Sequence, residues 1–367
     1  MNPKFPISKV RDYTFLSPPP LIEPDHQPDP QQRRLSLNES LHPPSPKAIE
    51  AIANAAQFSN FYPDNSGHAI TSLISERTGV SENRIRLGNG SSQLLHAIGS
   101  LAIEPGDNAV VPVPTFPMLG ESVIMAGGSL VSVPVNSDGC NDVPAMLDAM
   151  TERTRIFYLC TPNNPTGGVL SEDHLKRAIR DVPETCLMVF DEAYAEFAEH
   201  EGTANLLALL KERKGQWIIT RTFSKAYALA AMRIGYALCS DDALTRGLIQ
   251  ISPSFVVSRV AMAAAEAAMR DTDYLKSTLD DLIRQRKRLA DALEQFGCRA
   301  LPSGANFVTV FPPVPAGSVA KALKEQGILV QAMPWPDENG SIRITVGGAE
   351  DMDALIDAIQ PLLSRET

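Results

Sequence analysis

The chain has 367 residues, 44% of them hydrophobic and 21% charged, with a formal net charge of −10. That length exceeds the roughly 250–300 residues at which a single core stops growing, so two domains are expected. The acidic balance argues against nonspecific nucleic-acid binding and against an anionic membrane surface, and no run reaches the roughly 18 apolar residues of a membrane span.

Residues 1–30 hold eight prolines and almost no periodicity, which predicts an extended N-terminal arm up to about residue 35. From residue 36 the pattern becomes βα alternation. Pro46 to Gln57 reads as a helix with Ser45 as its N-cap. Ser92 to Ala102 reads as a second helix, entered from Gly88-Asn89-Gly90. Valine- and isoleucine-rich runs follow at 109–113, 130–135, 156–160, 186–190, 217–220 and 234–238. They predict strands buried on both faces, with helices such as 172–180 between them. The expected fold class is therefore α/β, a mostly parallel sheet covered by helices in a large domain over 36–257. Beyond Ser258 the leucine spacing at 275, 279, 282, 289 and 293 predicts a long helix. Strands at 306–311 and 342–346 and helices at 318–326 and 352–362 complete a smaller α+β domain over 258–367. The five cysteines are odd in number and lack a Cys-x-x-Cys, and the N-terminus lacks an apolar signal segment. Both features predict free thiols in a reducing compartment, the cytoplasm.

Several residue types point to chemistry. Lys225, in Thr222-Phe223-Ser224-Lys225, follows a predicted strand. Taken alone it reads as a solvated lysine, or as part of a Thr-x-x-Lys pattern that lacks its acyltransferase partners. Asp191 ends the apolar strand Cys186–Phe190, where an α/β sheet places ligands, and could equally cap a helix or hold magnesium. Gly90-Ser91-Ser92 opens a helix whose free N–H groups suit an anion, and it lacks the third glycine of a dinucleotide fingerprint. Thr222 and Ser224 offer hydroxyls, and Arg233 offers a bidentate guanidinium. Asn164 sits in Asn163-Asn164-Pro165-Thr166-Gly167, which is also ordinary turn chemistry. Arg343 alternates with Ile342 and Ile344 and so faces away from their side of the strand. The six histidines show neither triad nor metal spacing, and no metal is expected.

Together these motifs resemble the class I/II, fold-type I aminotransferases that use pyridoxal 5′-phosphate (PLP), most closely the histidinol-phosphate aminotransferase family, from about Arg34 to Leu363. The resemblance implies a large domain with a seven-stranded sheet and a homodimer that exchanges amino groups between an amino donor and a 2-oxo acid. By the same resemblance Lys225 matches the Schiff-base lysine, and Asp191 the partner of the pyridinium nitrogen. Tyr194 and Asn164 match the contacts to the ring oxygen, and Phe116 the ring that stacks on the pyridine. Gly90, Ser91, Ser92, Thr222, Ser224 and Arg233 match the phosphate site, and Tyr62 the tyrosine that reaches a neighbouring subunit's phosphate. Arg343 matches the clamp on the substrate carboxylate.

The chain departs from that family on the substrate side. Leu329-Val330-Gln331-Ala332-Met333 stands where many members carry an arginine, and Leu119 stands where tyrosine is usual. Gln331, Met333, Trp335 and Leu119 are thus expected to line a neutral side-chain pocket. A neutral or aromatic amino acid is the expected alternative to histidinol phosphate. A threonine-phosphate-type decarboxylase, an amino-acid oxidase and a PLP-sensing regulator are further alternatives, the last disfavoured by the short arm and the charge.

Overall fold

The computed structural model describes residues 32–363. The predicted arm up to residue 31 lies outside the described residues. The chain first forms a short strand, β1 (Arg33–Leu35), and then helices α1 (Pro46–Ala56) and α2 (His68–Thr78). Ser45 caps α1 by accepting the Ala48 N–H, with Pro46 at the first helical position. β2 (Ile85–Gly88) leads directly into α3 (Gly90–Ala102).

Six further strands complete the larger sheet: β3 (Asn108–Val113), β4 (Ser129–Pro134), β5 (Thr154–Cys160), β6 (Leu187–Asp191), β7 (Trp217–Thr222) and β8 (Gly235–Cys239). Their order is β2-β8-β7-β6-β5-β3-β4. The ladders from β4 through β7 are parallel, and β8 runs antiparallel to both β7 and β2. β5 and β6 are buried on both faces, as their continuous apolar runs require. β4 is the exception to that expectation. It lies at the sheet edge, and only Val133 of its six residues is fully buried.

The second sheet gathers β1 with β9 (Arg299–Ala300), β10 (Phe307–Phe311), β11 (Ile328–Met333) and β12 (Ser341–Thr345), in the order β1-β11-β12-β10-β9. β1 pairs parallel with β11, so the end of the predicted arm is a strand of this sheet. The leucine stripe at 275–293 lies on the helix Thr272–Gln295 and is buried against the core. All five cysteines are free. Among the described residues no helix is long and apolar enough to cross a membrane, and no cluster of potential ligands could hold a metal ion.

Candidate active site

Parallel strands deliver their loops to one edge of the sheet, and the sequence-predicted residues collect there. Asp191 is the last residue of β6, Thr222 ends β7, and Lys225 follows three residues later. The loop after β5 carries Asn164, the loop after β3 carries Phe116, and β12 brings Arg343 from the second sheet. Ser91, Ser92, Ser224, Arg233, Tyr194 and Gln331 join them around one cavity of about 690 Å³.

Lys225 Nζ donates to the carbonyls of Leu37 (3.2 Å) and Asn38 (2.8 Å). Burial and then the Arg343 guanidinium lower its pKa to about 8, against a pull upward from Glu39. The amine is therefore available in its nucleophilic form near neutral pH. Asp191 is 1% exposed. The Tyr158 and Thr220 hydroxyls donate to its two oxygens at 3.2 and 3.3 Å. Burial nonetheless raises its pKa to about 6. A cationic partner in the cavity would return that carboxylate to full charge. Tyr194 is buried as well, and its oxygen accepts from Asn38 Nδ2 at 2.9 Å.

At the other end, α3 begins with a φ of +69° at Gly90, and its N-cap, Asn89, makes no side-chain capping bond. A Cβ on Gly90 would lie 2.6 Å from Arg233 Nη2, and one on Gly235 would lie 2.6 Å from the Ser91 nitrogen. The two glycines let Arg233 and β8 close on the helix N-terminus. Thr222 Oγ1 donates to Ser224 Oγ (3.0 Å), and Arg233 Nη1 donates to the same Ser224 oxygen (3.4 Å). The result is an anion cradle of uncapped N–H groups, hydroxyls and one guanidinium, aided by the helix dipole.

Arg343 lies between Ile342 and Ile344, which are fully buried, and its own side chain faces the cavity. It donates to Asn164 Oδ1 and to the Ser36 carbonyl, both at 2.6 Å. Its buried Nε has no partner. Gln331 is the register partner of Arg343 on β11, and it lines the cavity with Met333. Two expectations fail here. Leu119 is fully buried in the core around α3 and is absent from the cavity wall. Trp335 packs against Phe311 in a tilted arrangement, with centroids 5.5 Å apart and planes at 54°, and is also absent from the wall. Tyr62 stands apart: it is 79% exposed and does not line its own chain's cavity. Sequence reasoning missed Tyr158, Thr220 and Asn38. A hydroxyl in the apolar run of β5 was the available signal for Tyr158, since a buried tyrosine oxygen needs a partner.

An anion cradle, a buried carboxylate and a depressed lysine in one cavity fit a phosphorylated pyridine aldehyde. The residues 30–359 match the family described as aminotransferase class I and II. The chain belongs to that family. It is 37% identical to histidinol-phosphate aminotransferase 2 of Caulobacter vibrioides over 331 residues, which is 90% of this chain and 86% of that one. It is 36% identical to an aromatic amino acid aminotransferase of Rhodococcus opacus, over 88% of each chain. Its fold matches the histidinol-phosphate aminotransferase of Sinorhizobium meliloti, solved with pyridoxal 5′-phosphate, at a TM-score of 0.84, 32% identity and 90% coverage of both chains. The enzyme is thus a PLP-dependent aminotransferase of fold type I. These relatives do not favour the decarboxylase, oxidase or regulator alternatives.

Proposed function

We propose that this aminotransferase takes its amino group from an α-amino acid with a neutral or aromatic side chain and passes it to a 2-oxo acid. The observation that carries this reading is the wall beside Arg343. Gln331 and Met333 line it, and the cations lining the cavity among the described residues are Lys225, Arg233 and Arg343. Arg233 belongs to the cradle at α3, and Arg343 is placed to hold a carboxylate. A second phosphate, on the substrate, would meet no cation at Gln331 and would carry a large desolvation cost. Of the two arginines on β1, Arg34 is engaged with Glu39 at 3.3 Å, and Arg33 with Glu350 and Asp351 at 3.3 and 3.5 Å.

Each side chain then has a task. The N-terminal N–H groups of α3, with Ser91, Ser92, Thr222, Ser224 and Arg233, hold the cofactor phosphate. Phe116 would pack on the ring, Tyr194 and Asn164 would contact its oxygen, and Asp191 would keep its nitrogen protonated. When bound, the cofactor supplies an aldehyde for amine exchange and a ring that accepts the electron pair released at the substrate Cα. Lys225, with its lowered pKa, would be the amine that bonds to the cofactor aldehyde and the base that moves the proton at the substrate Cα. Arg343 offers its unpartnered Nε and the donors now on Asn164 and Ser36 to the substrate carboxylate, which fixes the Cα–H bond for that transfer.

The enzyme is further proposed to act as a homodimer in the cytoplasm, with Tyr62 reaching the partner's cradle. Turnover of a panel of amino acids with 2-oxo acids, beside histidinol phosphate, tests the substrate. Neutral or aromatic donors are expected to match or exceed the phosphorylated one. Gln331→Arg is expected to shift the kcat/KM ratio toward the phosphorylated donor by roughly one to two decades, the scale of one charge-assisted contact. Efficient wild-type use of histidinol phosphate, abolished in Arg33→Ala or Arg34→Ala, would reverse the assignment.

A further inference from the structure

The link between β1 and α1 touches three side chains of the site in succession. The Ser36 carbonyl accepts from Arg343, and those of Leu37 and Asn38 accept from Lys225. Asn38 is 1% exposed and holds a φ of +55°, a left-handed conformation that asparagine tolerates better than most residues. Its N–H donates to Thr345 Oγ1 at 2.9 Å, and its carbonyl also accepts from Asn306 Nδ2 at 3.2 Å. Its amide nitrogen donates to the Tyr194 oxygen at 2.9 Å.

The orientation of that amide follows from the network. Thr345 Oγ1 already accepts the Asn38 N–H, so its own proton is free to go to Asn38 Oδ1, 3.4 Å away. This leaves Nδ2 facing Tyr194. A phenol has one proton and two lone pairs. With one lone pair engaged by Asn38, the Tyr194 proton is not spent on Asn38 and stays available to the cavity.

We propose that Asn38 is a positioning residue that fixes Tyr194 as a hydrogen-bond donor toward the cofactor ring oxygen, an inference that rests on the role assigned to Tyr194 above. Electrostatics agree with the geometry. Burial raises the Tyr194 pKa, whereas Arg343 and the Asn38 amide lower it and make the phenol a better donor. The titratable and charged groups that act on the hydroxyl are Arg343 on β12, Cys160 on β5 and Asp191 on β6. The competing explanation is that asparagine is present only for its left-handed backbone. Glycine separates the two, because Asn38→Gly keeps that backbone and the carbonyl held by Lys225 while deleting the amide.

The test is a pH titration of the visible absorbance of the cofactor-loaded enzyme. A donor at the ring oxygen favours the deprotonated chromophore. Asn38→Gly is therefore expected to raise the apparent pKa by roughly half to one unit, the scale of one hydrogen bond. The same substitution is expected to add nothing further in a Tyr194→Phe background. An unchanged titration, or an equal shift with and without the Tyr194 hydroxyl, would overturn the proposal. Melting of the apoprotein gives a second reading. There the losses in Asn38→Gly and Tyr194→Phe are expected to overlap rather than add, and additive losses would count against the bond. If the glycine variant fails to fold, Asn38→Asp replaces it. It keeps the shape but accepts the Tyr194 proton, so its larger rise must shrink when Tyr194 becomes phenylalanine. Borohydride fixation of the cofactor to a residue other than Lys225 in the wild type would refute the site assignment itself, and this inference with it.

Discussion

Burial holds the Asp191 carboxyl at about 6, above its ordinary 3.8, even though two hydroxyls donate to it. The folded state therefore binds more protons than the unfolded one between these values. Stability contributed by this group falls as pH rises from 3.8 through about 6, and at pH 7 the apoprotein carries the whole penalty, about 2–3 kcal/mol. A pyridinium in the cavity would offset it. Asp191→Asn removes the charge while keeping the shape. The variant apoprotein is expected to melt no lower than wild type at pH 7, while kcat drops roughly 10²–10³-fold because the ring nitrogen loses its partner. Thermal melts of the stripped protein beside turnover of the loaded one decide this; near-normal kcat would contradict it. Lys225 has the opposite chemistry and the same logic. Its folded pKa of about 8 lies below 10.5, so the cost of its charged form is present below about 8 and fades as pH rises toward 10.5. Stability lost with rising pH through that window, in a comparison with Lys225→Met, would show that the amine is not desolvated.

At the scale of elements, the strand carrying Asp191 is tied down from its far side. Glu192 follows it, and Arg221 on β7 donates to Glu192 at 2.7 and 2.9 Å and to Glu199 at 2.7 Å. Burial pushes the nearby Glu196 up to about 7. Replacing Arg221 by methionine leaves buried carboxylates uncompensated, so a loss of roughly 3–5 kcal/mol is expected, seen as a lower denaturation midpoint. Restoration by Glu192→Gln in the same chain would identify the stranded charge as the cause. This network, unlike the strands it joins, was not legible in the sequence. β5, β6 and β7 declare themselves because burial on both faces demands continuous apolar runs. β2 has four residues interrupted by Arg86, and β1 exists only through pairing with β11, nearly 300 residues away. The same division holds in the site. Lys225, Asp191, Asn164 and Arg233 could be named because their motifs resemble those of a known family, and the fold brings all four to one cavity. Tyr158, Thr220 and Asn38 matter only because folding sets them beside those groups. Leu119 was misplaced because its position in the chain does not reveal that its side chain turns into the core.

At the scale of the whole molecule, Tyr62 is a named cofactor residue that does not line its own chain's cavity. Tyr62 stacks on Phe255 with centroids 4.7 Å apart, and Phe58 and Phe61 beside it are 54% and 63% exposed. Such a cluster of large exposed apolar side chains suits contact with a second copy. In a two-fold dimer each site would draw Lys225 from one protomer and Tyr62 from the other. Lys225→Ala removes the amine from the first, and Tyr62→Ala removes the reach of the second. In a mixed dimer of the two variants, one site lacks both residues and the other has both. Random exchange in an equal mixture makes half the dimers mixed, so recovery to about a quarter of wild-type activity is expected. Tyr62→Ala must first be shown to be impaired alone, with weaker cofactor retention as the direct sign. Size-exclusion chromatography with differently tagged protomers establishes that exchange took place. Activity that stays at the level of the separate variants after confirmed exchange would place Tyr62 in the service of its own chain. The exposed aromatic cluster would then need a different explanation.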